Sequence, residues 1–133
     1  MTTAATSETT LRVRYAETDK MGVVYYANYL VWFEVARTEW LRAHGWTYRE
    51  MEAGGAMLPV IGVQCEYLRS AQYDESITIR TIGILHSPVR VEFTYEVFKQ
   101  DGTVAARGTT MHAAVDLKGK PCRLPEKVRE VFA

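Results

Sequence analysis

The sequence predicts an α+β domain in which an antiparallel sheet wraps round one long central helix. Three observations carry this. The stretch from Asn28 to Ala43 is apolar at helical spacing, the chain after Leu58 alternates at the period of a strand, and glycine-bearing turns separate the alternating runs. A single long helix followed by strands buries its apolar stripe most simply against one curled sheet.

The elements follow in order. Met1 to Thr10 are small and polar and read as a loose N-terminal tail, with the folded domain over residues 11–133. Leu11, Val13 and Tyr15 alternate with Arg12 and Arg14, the pattern of a short half-buried strand. Gly22 then marks a tight turn in a polar run. Tyr29, Phe33, Ala36 and Trp40 fall on one helical stripe, and Leu30, Val31 and Trp32 widen it until the first two turns are apolar nearly all round. Asn28 stands where a capping side chain accepts from a free backbone N–H, and Gly45 where a helix stops. Thr47 and Glu50 have the spacing of a capping box for a second short helix ending at Gly54-Gly55.

Ile61, Val63, Cys65 and Tyr67 share one face of a strand, as do Ile77 and Ile79 of the next. The cleanest run is Val89 to Val97, with Val91, Phe93 and Tyr95 inward and Arg90, Glu92, Thr94 and Glu96 outward. Asp101-Gly102 signals a hairpin into a long strand from Val104 to Leu117. Lys118-Gly119-Lys120-Pro121 makes a turn, and Glu126 to Phe132 a short terminal helix. An apolar sheet face and an open edge leave surface to cover, which predicts a homo-oligomer.

Composition narrows the function classes. At 133 residues the chain holds one core of ordinary size, with 47% hydrophobic and 24% charged residues. Sixteen basic residues balance sixteen acidic ones, against a nucleic-acid or membrane-surface role, though a local patch for phosphates remains open. Cys65 and Cys122 lack the spacing of a metal site or redox motif, and no metal or cofactor is expected. With no apolar leader and no disulfide framework, the expected compartment is the cytoplasm.

The chemistry lies in Glu17-Thr18-Asp19-Lys20-Met21-Gly22-Val23-Val24-Tyr25-Tyr26-Ala27-Asn28-Tyr29, continued by Phe33-Glu34, Ala36-Arg37-Thr38-Glu39. A carboxylate in a turn before a helix can act as nucleophile or general base, and the helix start offers unpaired N–H groups and a positive dipole end. The motif resembles the signature of the 4-hydroxybenzoyl-CoA thioesterase family, in its acyl-CoA thioesterase branch, and the resemblance covers about Leu11 to Arg129. It implies a hot-dog fold and hydrolysis of an acyl-CoA thioester between two subunits of a homodimer or homotetramer. The family's catalytic carboxylate falls on Asp19, and the backbone N–H that polarises the thioester carbonyl falls on Tyr26. Tyr26 stands where one subgroup has histidine, and Ser70 where many relatives have proline.

Tyr25 and Tyr29, with Trp32 and Met57, are candidates for the acyl pocket. The resemblance places coenzyme A on the segment His86 to Arg90, with Ser87 and Arg90 as candidate contacts. Glu17 is expected to cap a turn or meet solvent, Glu34 and Arg37 to form a structural ion pair, and His44 and His112 to be structural. Two rival readings share the fold: a hydratase or dehydratase, which needs an acid–histidine pair, and a non-catalytic acyl-CoA-binding subunit.

Overall fold

A computed structural model describes residues 5–133. Helix α1 spans Asn28–Ala43 and α2 Tyr48–Ala53, the latter closed by the expected Thr47–Glu50 capping box. One sheet holds β1 (Thr6–Arg12), β2 (Val60–Tyr67), β3 (Ser76–Ser87), β4 (Arg90–Phe98) and β5 (Val104–Ala113), and α3 (Glu126–Arg129) ends the chain. The order across the sheet is β1-β3-β4-β5-β2, with every neighbouring pair antiparallel. β1 and β2 are therefore its two edges.

The predicted stripe of Tyr29, Phe33, Ala36 and Trp40 is buried in one core with Val91, Phe93, Tyr95 and Val97 of β4. Phe33 stacks on Tyr95 with centroids 4.2 Å apart, and Trp40 meets Phe93 edge-on at 5.3 Å. Glycine permits this approach. A Cβ on Gly108 would lie 2.5 Å from the Phe33 ring, and one on Gly83 would lie 2.5 Å from Trp40.

Four expectations need correction. The tail assigned to residues 1–10 is strand from Thr6 onward, paired with β3 from Thr6↔Ile82 to Arg12↔Ser76; residues 1–4 lie outside the described residues. Its polar, threonine-rich sequence hides an edge strand that needs no apolar alternation. Tyr15, expected on a strand, instead begins a 3₁₀ turn, Tyr15–Glu17. Asn28 is the first helical residue rather than the cap. Leu30, Val31 and Val35 stay between 38% and 46% exposed, so the sheet covers one side of α1 only.

His112 is fully buried and structural in its contacts. Its Nδ1 lies 2.9 Å from the Leu58 carbonyl and its Nε2 2.8 Å from Thr110 Oγ1, which in turn lies 2.7 Å from the Tyr95 hydroxyl. A neutral ring satisfies this chain by donating from Nδ1 and accepting at Nε2. Burial pushes the imidazole down from 6.5 to about 4.

Gly108→Ala is expected to destabilise the fold by about 1–3 kcal/mol in urea unfolding, because the new methyl meets a ring inside a packed core. Gly62→Ala, whose Cβ has nothing nearer than Met111 Cβ at 3.8 Å, should be close to neutral. The lowered pKa of His112 makes the unfolded chain bind more protons between pH 6.5 and about 4. Stability is therefore complete above 6.5 and falls across that window by roughly 3 kcal/mol, a loss that His112→Gln should reduce.

Candidate active site

The segment from Thr18 to Val24 reverses on itself. The Asp19 N–H donates to the Val23 carbonyl at 2.9 Å and the Gly22 N–H to the Asp19 carbonyl at 3.0 Å, with Gly22 at φ +81°. Asp19 Oδ1 accepts from the Met21 N–H at 2.8 Å, while Oδ2 has no hydrogen-bond partner among the described residues. Asp19 thus does the ordinary work of a turn aspartate with one oxygen and keeps the other available. The side chain is half-buried.

The helix start is held by Glu17, which the sequence had placed at a turn or in solvent. Glu17 is only 5% exposed. Its Oε1 accepts from the Arg14 N–H at 2.8 Å, and its Oε2 from the Trp32 indole N–H at 3.0 Å and from Arg14 Nη2 at 3.3 Å. Its carbonyl accepts the Tyr25 N–H at 2.8 Å and the Asn28 side-chain amide at 2.9 Å. Asn28 therefore ties the helix to the preceding turn instead of capping it.

The backbone donors of this corner can be followed one by one. The Val24 N–H goes to Ala71 O, Tyr25 to Glu17 O, Asn28 to Tyr25 O, Tyr29 to Tyr26 O and Leu30 to Ala27 O. The N–H groups of Tyr26 and Ala27 have no acceptor among the described residues. Two consecutive free donors thus stand at the positive end of a sixteen-residue helix.

Tyr26 also borders a cleft of about 200 Å³ with Tyr29, Tyr67, Arg69 and Ser70. Tyr67, at the end of edge strand β2, donates its hydroxyl to the Tyr26 carbonyl at 3.0 Å. Partial burial and its neighbour Cys65 push the Tyr67 phenol up to about 12, so it stays a donor across the physiological range. Tyr29 is buried, with its ring 5.2 Å from Tyr67 and its hydroxyl accepting from the Ala71 N–H at 3.3 Å. Tyr25 is exposed beside Tyr26, with ring centroids 4.8 Å apart.

Ser87 and Arg90 lie elsewhere. They flank the β3–β4 hairpin, where Ser87 Oγ accepts from the Val89 N–H at 3.3 Å and Arg90 is exposed. The Ala71 loop that holds Val24 precedes the start of β3, whereas Ser87 ends that twelve-residue strand. At about 3.3 Å per residue, the two ends are on the order of 35 Å apart along the chain direction. One protomer therefore does not bring Ser87 and Arg90 to the Tyr26 cleft. His86 is on β3 itself, 2.7 Å from Glu92 Oε1.

The expected Glu34–Arg37 ion pair does not form among the described residues; the i,i+3 pair on α1 is Glu39–Arg42. Cys65 and Cys122 are unpaired, and no metal-holding group of three or more His, Cys, Asp or Glu occurs among the described residues. Sequence reasoning missed Glu17 and Tyr67 as parts of this corner. The first bonds to Trp32, fifteen positions away, and the second to Tyr26, forty-one away. No local pattern signals either contact.

The fold has counterparts. The model of the thioesterase-like superfamily matches residues 13–132. The chain is 36% identical to YneP of Bacillus subtilis over 95% of its own length and 89% of that protein. It is 32% identical to the acyl-CoA thioester hydrolase YbgC of Escherichia coli O6:H1, over 92% of each. A crystal structure of a DHNA-CoA thioesterase from Staphylococcus aureus superposes with a TM-score of 0.85 at 38% identity, covering 90% of this chain and 80% of that one.

Replacing Glu17 by Leu removes the acceptor of the Arg14 N–H and of the Trp32 indole. Stranding buried donors costs about 1–3 kcal/mol each, so Glu17→Leu is expected to lower unfolding stability by roughly 2–4 kcal/mol. Glu17→Gln keeps an acceptor and should lose less. Urea titration of both variants checks the ranking.

Proposed function

This chain belongs to the thioesterase-like superfamily, and on that footing we propose that it hydrolyses acyl-CoA thioesters to a free acid and coenzyme A. The observation that carries the mechanism is the pair of free N–H groups at Tyr26 and Ala27, at the positive end of α1 and in the same helix-entry segment as the half-buried Asp19. In the proposed reaction the thioester oxygen sits against the Tyr26 N–H, with Ala27 as a second donor. As the carbonyl carbon becomes tetrahedral, negative charge grows on that oxygen and the fixed donors stabilise it, by about 3–4 kcal/mol for one well-aimed group.

Asp19 supplies the attack by one of two routes. As general base, Oδ2 takes a proton from water, the hydroxide bonds to the carbonyl carbon, and the C–S bond breaks to release the thiolate of coenzyme A. As nucleophile, Oδ2 bonds to that carbon and expels the thiolate, and water then cleaves the resulting anhydride. Labelled water separates them: single-turnover label in Asp19 marks the nucleophilic route, and label confined to the product marks the base.

Tyr67 is proposed as a positioning residue. Its hydroxyl fixes the Tyr26 carbonyl and so aims the Tyr26–Ala27 peptide, whose N–H is one of the two donors. Tyr25 and Tyr29 are proposed to shape the acyl end. Relatives named for DHNA-CoA make an aromatic acyl group a fitting first substrate to try.

The oligomer proposed is at least a homodimer through β2. That edge strand is exposed on both faces, with Val60, Ile61, Val63 and Tyr67 between 44% and 51% exposed. An antiparallel pairing of β2 with a second copy sets the Val60 end of one chain against the Tyr67 end of the other. Val60 pairs with His112, and Arg90 with the adjacent Ala113, so the Val60 end is also the Arg90 end. The second copy's Ser87 and Arg90 would thereby approach the Tyr26 cleft and offer donors to the phosphates of coenzyme A. We place the reaction in the cytoplasm, in keeping with two unpaired cysteines; among the described residues no helix is long and apolar enough to cross a membrane.

Asp19→Asn is expected to reduce thiol release from acyl-CoA by at least about a hundredfold, as loss of an acid–base group does. Tyr67→Phe should lower kcat by roughly five- to tenfold, the worth of one neutral hydrogen bond, with KM little changed. Equal activity in wild type and Asp19→Asn would remove Asp19 from the mechanism.

A further inference from the structure

We propose that Lys99 is a positioning residue for the Asp19–Tyr26 corner, acting through the peptide that joins Ser70 to Ala71. Lys99 follows the inward row of Val91, Phe93, Tyr95 and Val97 on β4, so its stem enters at the rim of the core. Its ammonium donates to the Ser70 carbonyl at 2.6 Å, a charge-assisted bond. Glu75 Oε1 stands 3.7 Å from the same ammonium, and the two side chains are only 18% and 15% exposed. Glu75 also accepts from the N–H groups of Gln72 and Gln100, each at 3.1 Å. The pair therefore pins the segment between β2 and β3 to the start of the β4–β5 turn.

An ion pair of this kind can serve stability alone, but the bonds beyond it lead to the corner. The Ser70 carbonyl and the Ala71 N–H belong to one planar peptide, so a grip on the first aims the second. The Ala71 N–H donates to the Tyr29 hydroxyl at 3.3 Å, and Tyr29 and Ser70 both line the Tyr26 cleft. The Ala71 carbonyl accepts the Val24 N–H at 2.9 Å, and Val23 bridges to Gln72. The Val23 carbonyl in turn accepts the Asp19 N–H. From Lys99 an unbroken chain thus runs through one peptide to Tyr29 and to the turn that carries Asp19. Tyr67 grips the Tyr26–Ala27 peptide in the same manner, by its carbonyl.

Lys99 does not itself line the cleft, so its loss should misalign the corner and leave substrate contacts in place. The effect on rate rests on the thioesterase reading; the effect on the loop does not.

Amide hydrogen exchange followed by NMR, on wild type, Lys99→Met and Lys99→Arg, reads the loop without using activity. Met keeps the apolar stem and removes the ammonium, and Arg restores a charged donor. In Lys99→Met the Ala71 and Val24 amides are expected to exchange at least about tenfold faster, with those of Phe93 and Tyr95 unchanged. Lys99→Arg should recover most of that protection. Thiol release from benzoyl-CoA by the same samples should show kcat about tenfold lower in Lys99→Met, the worth of one charged hydrogen bond, with KM little changed. Unchanged exchange at Ala71 and Val24 overturns the proposal. So does equal acceleration across the whole sheet, which marks a loss of global stability, and so does an unchanged kcat with a loosened loop. A wild type inactive on every acyl-CoA would sink the thioesterase reading instead, and the exchange rates would still decide whether Lys99 holds the loop.

Discussion

Glu17 holds both ends of the corner on which the proposed chemistry is built. Its side chain reaches down into the core to the Trp32 indole, one turn into α1, and its carbonyl reaches across to Tyr25 and to the Asn28 amide. These bonds fix where the helix begins. They also consume the donors and acceptors on either side of Tyr26 and Ala27, so that the two N–H groups between them remain free. A capping box, with a carboxylate at position 30 reaching back to the Ala27 N–H, would have used one of those donors. Leu30 stands there instead and leaves it free for the proposed oxyanion site.

That corner can be rigid because the helix behind it is. Phe33 and Trp40 press against strands that carry glycine opposite them, and the sheet closes over rings with no space for a methyl group. The sheet in turn leaves β2 as a bare edge, and Tyr67 at its end is the residue that clamps the Tyr26 carbonyl. Covering that edge with a second copy and completing the substrate site are, on this account, the same event. On this account the proposed catalytic loop, which depends on an edge strand, is sensitive to assembly as well as to its own sequence.

Much of this was legible in the sequence because it is local. The bounds of α1, the Thr47–Glu50 capping box and the alternation of β4 each follow from spacing within a few residues, and the long motif around Asp19 pointed to the fold as well as to the family. What was not legible depends on contacts between distant positions. Glu17 does cap the Tyr15–Glu17 turn, one of the two roles its sequence suggests, but its burial rests on Trp32, fifteen positions away. Thr6 to Thr10 look like a tail because an edge strand can be polar on both faces. Glu34 and Arg37 have ion-pair spacing, but Arg37 turns toward Tyr48 and Tyr95 instead. Ser87 and Arg90 are at the far end of β3 from the cleft, and only a second copy can bring them near it.

The central claim is that the Tyr26 and Ala27 N–H groups receive the thioester oxygen. The most direct measurement is the amide proton and nitrogen shift of these two residues when the protein binds an uncleavable acyl-CoA analogue in which a methylene replaces the thioester sulfur and the ketone is kept. The account predicts that both amide protons move downfield on saturation, by more than any other amide of the helix-entry loop. Shifts that spare Tyr26 and Ala27 while the analogue is fully bound would contradict it.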